Sequence, residues 1–163
     1  MLHHFERSVC VQAAAPEVFL RLDDQARLAA HMAQRSAMMG GGRMTYVFDA
    51  GRGQAVGSHI IMGGSAFGLA LAVDEVVIER DPPRRKVWQT FGATRLLIID
   101  TYTMGFALSA AAAGTELTVW IDYTLPAGGI RRWLSPLPAA LYARWCVRRM
   151  TDDAVGAFAV RRG

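Results

Sequence analysis

The chain has 163 residues, the size of one domain, and a chain of this length buries roughly 70% of the surface that its unfolded form exposes. Hydrophobic residues make up 52% of it, above the roughly 45–50% of an ordinary globular chain, so some apolar surface is expected to face a cavity or a partner. The net charge is +4, but the positive residues are arginines scattered along the chain, with Lys86 as the one lysine. No basic stripe is interleaved with aromatic residues, which argues against nucleic-acid binding. We expect residues 1–163 to form a single domain.

No segment of the sequence predicts export or insertion into a membrane. Residues 1–7 lack the charged start and apolar run of a signal peptide, and no stretch reaches roughly 18 consecutive apolar residues. The two cysteines, Cys10 and Cys146, have no CxxC neighbour, which favours neither a disulfide framework nor a zinc site. We expect a cytoplasmic location, no integral membrane association, no metal and no cofactor.

The chain opens with a predicted strand and two short helices. Apolar residues alternate over 4–12, which is typical of a strand. Pro16 suits the first turn of a helix, and apolar residues then recur at helical spacing. Asp23 or Asp24 can cap a second helix that runs to about Met32.

Residues 33–44 are predicted to form a loop, because three consecutive glycines, Gly40-Gly41-Gly42, lose much conformational entropy in a helix or strand. The loop carries Met38, Met39 and Met44, and methionine adapts to irregular apolar surfaces. Two interpretations stay open: an ordinary loop that tucks its methionines into the core, or a flexible methionine-lined lip.

Six further strands are predicted where apolar residues alternate between Gly and Pro punctuation. Their short connections favour an antiparallel meander, and with the first strand they make a seven-stranded sheet. Gly68 and Gly105 are candidate bend points in the two longest strands. Either parity of 68–80 is apolar enough to face inward, so that choice stays open. The predicted ranges are 44–49, 57–62, 68–80, 84–91, 96–108 and 115–125, with turns at Gly63-Gly64-Ser65 and near Gly92 among the connections.

Helical spacing returns at Pro138 and predicts a long C-terminal helix with one apolar face turned to the sheet. Leu141 and Trp145 lie on the opposite side, where they must meet the 126–138 segment, a membrane surface or a second copy of the chain. A homodimer through these two residues is therefore one prediction. The face turned to the sheet comprises Ala139, Tyr142, Ala143, Cys146, Val147, Met150, Ala154, Ala157 and Phe158.

Several short segments, taken in order, resemble one superfamily. They are Ala15-Pro16-Glu17-Val18-Phe19, Glu75-Val76-Val77, Asp81-Pro82-Pro83-Arg84-Arg85 and Gly114-Thr115-Glu116-Leu117-Thr118, followed by the long last helix. Together they are similar to the START-like, SRPBCC or polyketide cyclase/dehydrase-type superfamily. The resemblance implies an α+β helix-grip fold, in which a curved seven-stranded antiparallel sheet surrounds a long C-terminal helix and two short helices follow strand 1. It also implies an apolar cavity for lipids, sterols, polyketides or hormones. It carries over no active site, because the superfamily has no universal catalytic motif.

One acidic residue is a candidate for a position inside that cavity. In the strand 96–108, Asp100 shares its parity with Tyr102 and with apolar neighbours. If this parity faces the helix, burial should raise the pKa of Asp100, and the two side chains would form an acid/base pair. The alternative is an Asp100 that is solvated or paired with Arg95. His59 is a tentative proton shuttle, or else an ordinary surface histidine.

The residues predicted to contact a ligand share the inward parity of their strands or the inner face of the last helix. In 115–125 that parity includes Val119, Ile121 and Tyr123. The full predicted set is Ile98, Met104, Phe106, Val119, Ile121, Tyr123, Tyr142, Cys146 and Met150.

Three functions are consistent with this pattern. The first is binding of a hydrophobic small molecule, such as a lipid, an isoprenoid or a polyketide-like compound, between the sheet and the last helix. The second is a cofactor-independent cyclase or dehydratase that uses Asp100 and Tyr102, with His59 in support. The third is a protein-interaction module that docks through Leu141, Trp145 and the methionine-rich loop. The sequence does not identify the ligand.

Overall fold

The computed structural model describes residues 1–27, 44–127 and 136–159. It has the predicted α+β architecture, a curved antiparallel sheet with one long helix near the C-terminus. The strands are β1 (Leu2–Val11), β2 (Met44–Phe48), β3 (His59–Ala66), β4 (Leu69–Asp81), β5 (Arg85–Arg95), β6 (Tyr102–Ala111) and β7 (Gly114–Thr124), and the helices are α1 (Ala15–Asp23) and α2 (Pro136–Ala159).

The seven strands form one sheet in the order β1-β7-β6-β5-β4-β3-β2. Short connections make β2 to β7 an antiparallel meander, as predicted. The first strand closes the other side of the sheet by pairing with the last, from Leu2 opposite Thr124 to Val11 opposite Thr115. This pairing brings the start of the chain beside α2.

Helix α1 begins where Pro16 favours a first helical turn, and it buries Val18, Phe19 and Leu22 against the sheet. Residues 25–27 are again helical. The rest of the predicted second helix and the methionine-rich loop up to Met44 lie outside the described residues. Met44 itself starts β2 and is buried.

The core lies between α2 and the part of the sheet formed by β1, β6 and β7. Small residues on α2, such as Ala139, Ala143 and Ala154, are fully buried and allow the helix to approach the strands closely. Phe106 and Val119 fill the layer below and are also fully buried. Burying such a side chain contributes roughly 1.5–3 kcal/mol. The predicted inner face of the last helix is confirmed, since its residues are buried or packed on this core. Within the described part of the chain, neither helix is long and apolar enough to cross a bilayer.

Two predicted turns are wrong. Gly63-Gly64-Ser65 lies inside β3, where it pairs with Ala72, Leu71 and Ala70 of β4. The hairpin turns instead at Phe67 and Gly68, whose φ values are 51° and 74°. A positive φ costs glycine little, so Gly68 suits its position in this turn. Gly92 likewise lies inside β5, with a φ of 66°.

The predicted strand 96–108 is too long at its start. Residues 96–101 form a loop, and β6 begins at Tyr102. All of the apolar residues Leu96, Leu97, Ile98 and Ile99 turn toward the interior, which a strand with alternating faces cannot achieve. The alternation of inward and outward side chains therefore cannot be counted through residues 96–101.

The sequence left open which face of β4 is turned inward, and from Leu71 to Val77 it is the odd-numbered one. Val73, Glu75 and Val77 are buried, whereas the residues between them are exposed or half-buried. A glutamate thus lies on the inner surface of the sheet.

Candidate functional site

A cavity of about 210 Å³ lies between the inner face of the sheet, the 96–101 loop and α2. Most of the described residues that line it are apolar, and Glu75 is the one carboxylate among them. The lining comprises Gln25, Met44, Tyr46, Met62, Ala66, Phe67, Leu71, Val73, Glu75, Trp88, Leu96, Leu97, Ile98, Ile99, Tyr102, Met104, Ile121, Tyr142, Trp145, Cys146, Arg149 and Met150.

The structure places most of the predicted ligand-contacting residues in this wall. They are Ile98, Met104, Ile121, Tyr142, Cys146 and Met150. Three others do not line the cavity, although all are buried. Phe106 and Val119 lie deeper in the core, where Phe19 of α1 meets the Phe106 ring at 5.5 Å between centroids. The ring of Tyr123 stacks on His3 at 5.3 Å. Inward parity was correct for these residues, but neighbouring elements cover them.

Glu75 is the carboxyl group of the site, and the sequence analysis missed it. It is 6% exposed and lies between Val73 and Val77 on the inner face of β4. Its carboxylate accepts a hydrogen bond from the Tyr102 hydroxyl. Burial raises the pKa of Glu75 to about 7, because the hydrogen bond from Tyr102 and the positive charge of Lys86 only partly offset the loss of hydration. This group can therefore exist in either protonation state near neutral pH.

Tyr102 projects from the start of β6 into the same space. Its backbone carbonyl and amide contact the Thr90 hydroxyl of β5 at 3.4 and 3.3 Å, so the neighbouring strand fixes its position. Burial and the adjacent Glu75 carboxylate raise the pKa of Tyr102 well above its usual value. The Tyr102 hydroxyl therefore stays protonated and donates a hydrogen bond to Glu75. Tyr102 lies in the cavity wall, as the cavity hypothesis for this residue required.

Of the two placements considered for Asp100, the one inside the cavity is wrong, and the structure agrees with the solvated one. It lies in the 96–101 loop, is exposed and does not line the cavity. Its backbone amide donates to the Thr124 carbonyl at 2.9 Å, and its carbonyl accepts from the Thr94 hydroxyl at 2.6 Å. These bonds attach the 96–101 loop to β5 and β7 and leave the Asp100 side chain outside the cavity. The carboxylate beside Tyr102 is Glu75.

His59 also lies away from the cavity. It is on the outer face of β3, where its Nδ1 lies 2.9 Å from Oδ1 of Asp74. The ring of Phe91, which is exposed, meets the His59 ring edge-on at 5.1 Å. From this position His59 does not reach Glu75 or Tyr102, so a proton-shuttle role toward them has no geometric basis.

Two polar but uncharged side chains of α2, Tyr142 and Cys146, lie in the wall of the cavity. Tyr142 and Cys146 lie one helical turn apart. Burial raises the pKa of the Cys146 thiol to about 12, so it stays protonated at neutral pH and is a poor nucleophile. Burial also raises the pKa of Tyr142 well above its usual value. Both groups can donate hydrogen bonds but carry no charge.

Trp145 differs from its predicted position. It is half-buried, lines the cavity, and its ring centroid lies 5.8 Å from that of Tyr142. Leu141 is 51% exposed. The two residues therefore do not form one outer apolar surface, and the homodimer through them stays a prediction. In the described ranges, no three His, Cys, Asp or Glu side chains are grouped to hold a metal ion.

A buried ionic network supports the site from the side of α1. Lys86, which is 0% exposed, donates from Nζ to Oδ1 of Asp23 at 2.8 Å, and Arg80 donates to the other carboxylate oxygen at 2.8 Å. Burial would raise the pKa of Asp23, but the hydrogen bonds from Arg80 and Lys86 outweigh it and lower that pKa. The network holds the end of α1 against β4 and β5. Lys86 shares the inward parity of Trp88, which is the signal that would have revealed it.

No family model matches the sequence, and no curated protein sequence matches it. Solved structures do match. Ara h 8.0201 superimposes with a TM-score of 0.68 at 12% identity, over 98% of this chain and 99% of that chain. A norcoclaurine synthase point mutant from Thalictrum flavum, in complex with a transition-state analogue, superimposes with a TM-score of 0.68 at 12% identity, over 100% of this chain and 98% of that chain.

The di-domain ARO/CYC BexL from the BE-7585A biosynthetic pathway superimposes with a TM-score of 0.63 at 17% identity, over 95% of this chain and 48% of that chain. At these identities the likeness establishes the fold. The chain shares the helix-grip fold of these structures, which is the fold that the resemblance in the sequence implied. Fold alone does not specify a substrate, so the function has to be argued from the cavity.

Proposed function

We propose that the protein binds a hydrophobic small molecule in the cavity between its sheet and α2, with a polar group of that molecule near the Tyr102–Glu75 pair. The observation that carries this proposal is a buried carboxyl group in a mainly apolar cavity. Burial of a carboxyl group costs folding free energy, and an apolar side chain would pack the same position without this cost. Such a group is useful where a ligand must be oriented.

The balance of forces fits this proposal. Burial of apolar ligand surface contributes about 25 cal/mol per Å² removed from water, so a ligand gains affinity without specific polar contacts. A few polar groups then decide orientation and selectivity. The norcoclaurine synthase structure with the same fold holds a transition-state analogue, which supports the capacity of this fold to enclose a small molecule.

The test is fluorescence titration with 1-anilinonaphthalene-8-sulfonate, followed by displacement of this dye with uncharged apolar molecules. Ala66 lines the cavity and is buried, so Ala66→Phe would fill space that a ligand needs. Ala70 is exposed on the outer face of β4, so Ala70→Phe adds the same ring elsewhere. We expect Ala66→Phe to weaken binding at least tenfold and Ala70→Phe to leave it unchanged, with both variants checked for folding by circular dichroism. Equal affinity in all three proteins would overturn the proposal.

The pKa of about 7 at Glu75 favours a second candidate, acid/base catalysis on the bound molecule. In this version Glu75 takes the role predicted for Asp100. Its carboxylate removes a proton from the carbon next to a ligand carbonyl, and Tyr102 donates a hydrogen bond to the resulting enolate oxygen. Cyclisation and dehydration of keto compounds both begin with this step.

Deuterium uptake separates catalysis from binding alone. A bound methyl ketone in D₂O would exchange the hydrogens next to its carbonyl, and NMR would follow their loss. We expect wild type to accelerate exchange over buffer and Glu75→Gln to abolish the acceleration while still binding the ketone. Exchange at the buffer rate in wild type would reject the enzyme and leave the binding proposal intact.

A further inference from the structure

Gln25 carries a polar group for which the fold provides no partner. Its side chain lines the cavity, and the residue is 6% exposed. Within the described part of the chain, its Nε2 is buried and has no hydrogen-bond partner. An unpaired buried donor costs about 1–3 kcal/mol, so such groups are rare unless something else satisfies them. A hydrogen-bond acceptor on a bound molecule would do so.

The position of Gln25 is fixed by the turn that precedes β3. A Cβ atom at Gly53 would lie 2.6 Å from Cγ of Gln25 and 3.1 Å from Cδ1 of Ile60, so Gly53 leaves room for the glutamine to pack there. Ile60 is paired directly with Glu75 across β3 and β4. Gln25 and Glu75 therefore lie at the same level of the sheet, and together they make this end of the cavity polar.

The inner face of β4 becomes apolar with distance from Glu75. Val73 and Leu71 follow Glu75 on the inner face, and the strand then reaches the hairpin at Phe67. From Glu75 to Leu69 the strand covers about 20 Å at roughly 3.3 Å per residue. Phe67 lines the cavity although it is 65% exposed, so the cavity meets solvent at this hairpin.

We propose that the ligand is an amphiphile that binds head first: a hydrogen-bond acceptor such as a carbonyl oxygen lies at Gln25 Nε2, and an apolar tail runs along β4 toward Phe67. This inference rests on the proposed function and adds the chemical class of the ligand and its direction. The reverse orientation would place the head near the hairpin at Phe67. That orientation would leave Gln25 Nε2 unpaired and is therefore disfavoured.

The chemical class is tested with 2-nonanone and nonane as displacing probes, which differ by one carbonyl. The measured quantity is the ratio of their affinities in wild type, in Gln25→Leu and in Gln54→Leu. Gln54 is exposed, so its variant is the matched control. We expect Gln25→Leu to lower the ketone-to-alkane ratio about fivefold or more, the effect of one lost hydrogen bond, while nonane affinity is retained. Gln54→Leu should leave the ratio unchanged.

An unchanged ratio in Gln25→Leu would overturn the head-first inference alone, because nonane binding would still support the cavity as a ligand site. Failure of both probes to displace the dye from wild type would overturn the proposed function and this inference together.

The direction is tested in wild type, so that it does not depend on a variant that folds. Isotope-filtered nuclear Overhauser spectra of bound 2-nonanone should connect the methyl group beside the carbonyl to the Tyr102 ring. They should connect the terminal methyl group to Leu71 and Phe67. The opposite pattern of contacts would overturn the head-first orientation.

Discussion

The Tyr102 hydroxyl on β6 donates a hydrogen bond to the Glu75 carboxylate on β4, across the intervening strand β5. The bond joins two strands that are not neighbours and places a titratable group against an apolar wall. Both the stability of the fold and the chemistry of the cavity should therefore respond to changes at these two residues.

Glu75 should make the protein less stable as pH rises. Its pKa is about 7 in the folded chain against an ordinary value of 4.5, so the folded state holds more protons between these two pH values. Stability then falls as pH rises from about 4.5 to 7, by about 2–3 kcal/mol between pH 5 and pH 8. Urea unfolding at both pH values should show this loss in wild type, and Glu75→Gln should lack that component. Identical pH dependence in the two proteins would contradict the assignment.

Removal of the Tyr102 hydroxyl should weaken the fold and raise the pKa of Glu75 further, because the hydrogen bond favours the charged carboxylate. We expect Tyr102→Phe to cost about 1–3 kcal/mol of unfolding free energy at pH 8. Tyr123→Phe is the control, since the Tyr123 hydroxyl makes no hydrogen bond to the described residues, and it should change stability by less than about 0.5 kcal/mol. Denaturant unfolding measures both, and equal effects would count against the assigned bond.

Asp23 and Lys86 should respond unequally to substitution. Asp23→Asn leaves the fully buried Lys86 without its counter-charge, at a cost of about 3–5 kcal/mol. Lys86→Met keeps the length of the side chain and leaves Asp23 paired with Arg80, so we expect a cost below about 1.5 kcal/mol. Urea unfolding at neutral pH compares them. A larger loss for Lys86→Met would show that the lysine charge itself stabilises the fold.

Alanine substitutions at two glycines should change the stability of the fold in opposite directions. A Cβ at Gly105 would lie 2.5 Å from Cζ2 of Trp120 and 2.8 Å from the Lys86 carbonyl oxygen, so Gly105→Ala should destabilise by about 1–3 kcal/mol. Gly156 lies within α2 with open space around it, so Gly156→Ala should stabilise by about 0.5–1 kcal/mol. Thermal melting measures both. Stabilisation by Gly105→Ala would refute the close approach of Trp120.

The fold could be predicted from sequence because its signals are local. Period-two alternation, a late helical period and short connections are enough to predict a seven-stranded meander covered by a long helix. The residues of α2 that face the core follow from the helical period alone.

The chemistry of the site was less predictable, because it depends on contacts between distant parts of the chain. The cavity placement considered for Asp100 depended on counting strand parity through Leu96 to Ile99, a segment that forms a loop. Glu75 shares its parity with Val73 and Val77, but the opposite parity of β4 is also apolar, so alternation did not choose between them. The partner of Tyr102 depends on which face of β4 is turned inward, a choice that only the packed structure makes.

The central claim is that an apolar ligand enters the cavity, and methionine methyl NMR tests it most directly. Met44, Met62, Met104 and Met150 line the cavity, whereas Met1 is fully exposed. Titration of methyl-labelled protein with 2-nonanone should shift the signals of the lining methionines saturably, with a common dissociation constant, and leave Met1 unchanged. Lining methionines that do not move, or that move only in parallel with Met1, would contradict the account.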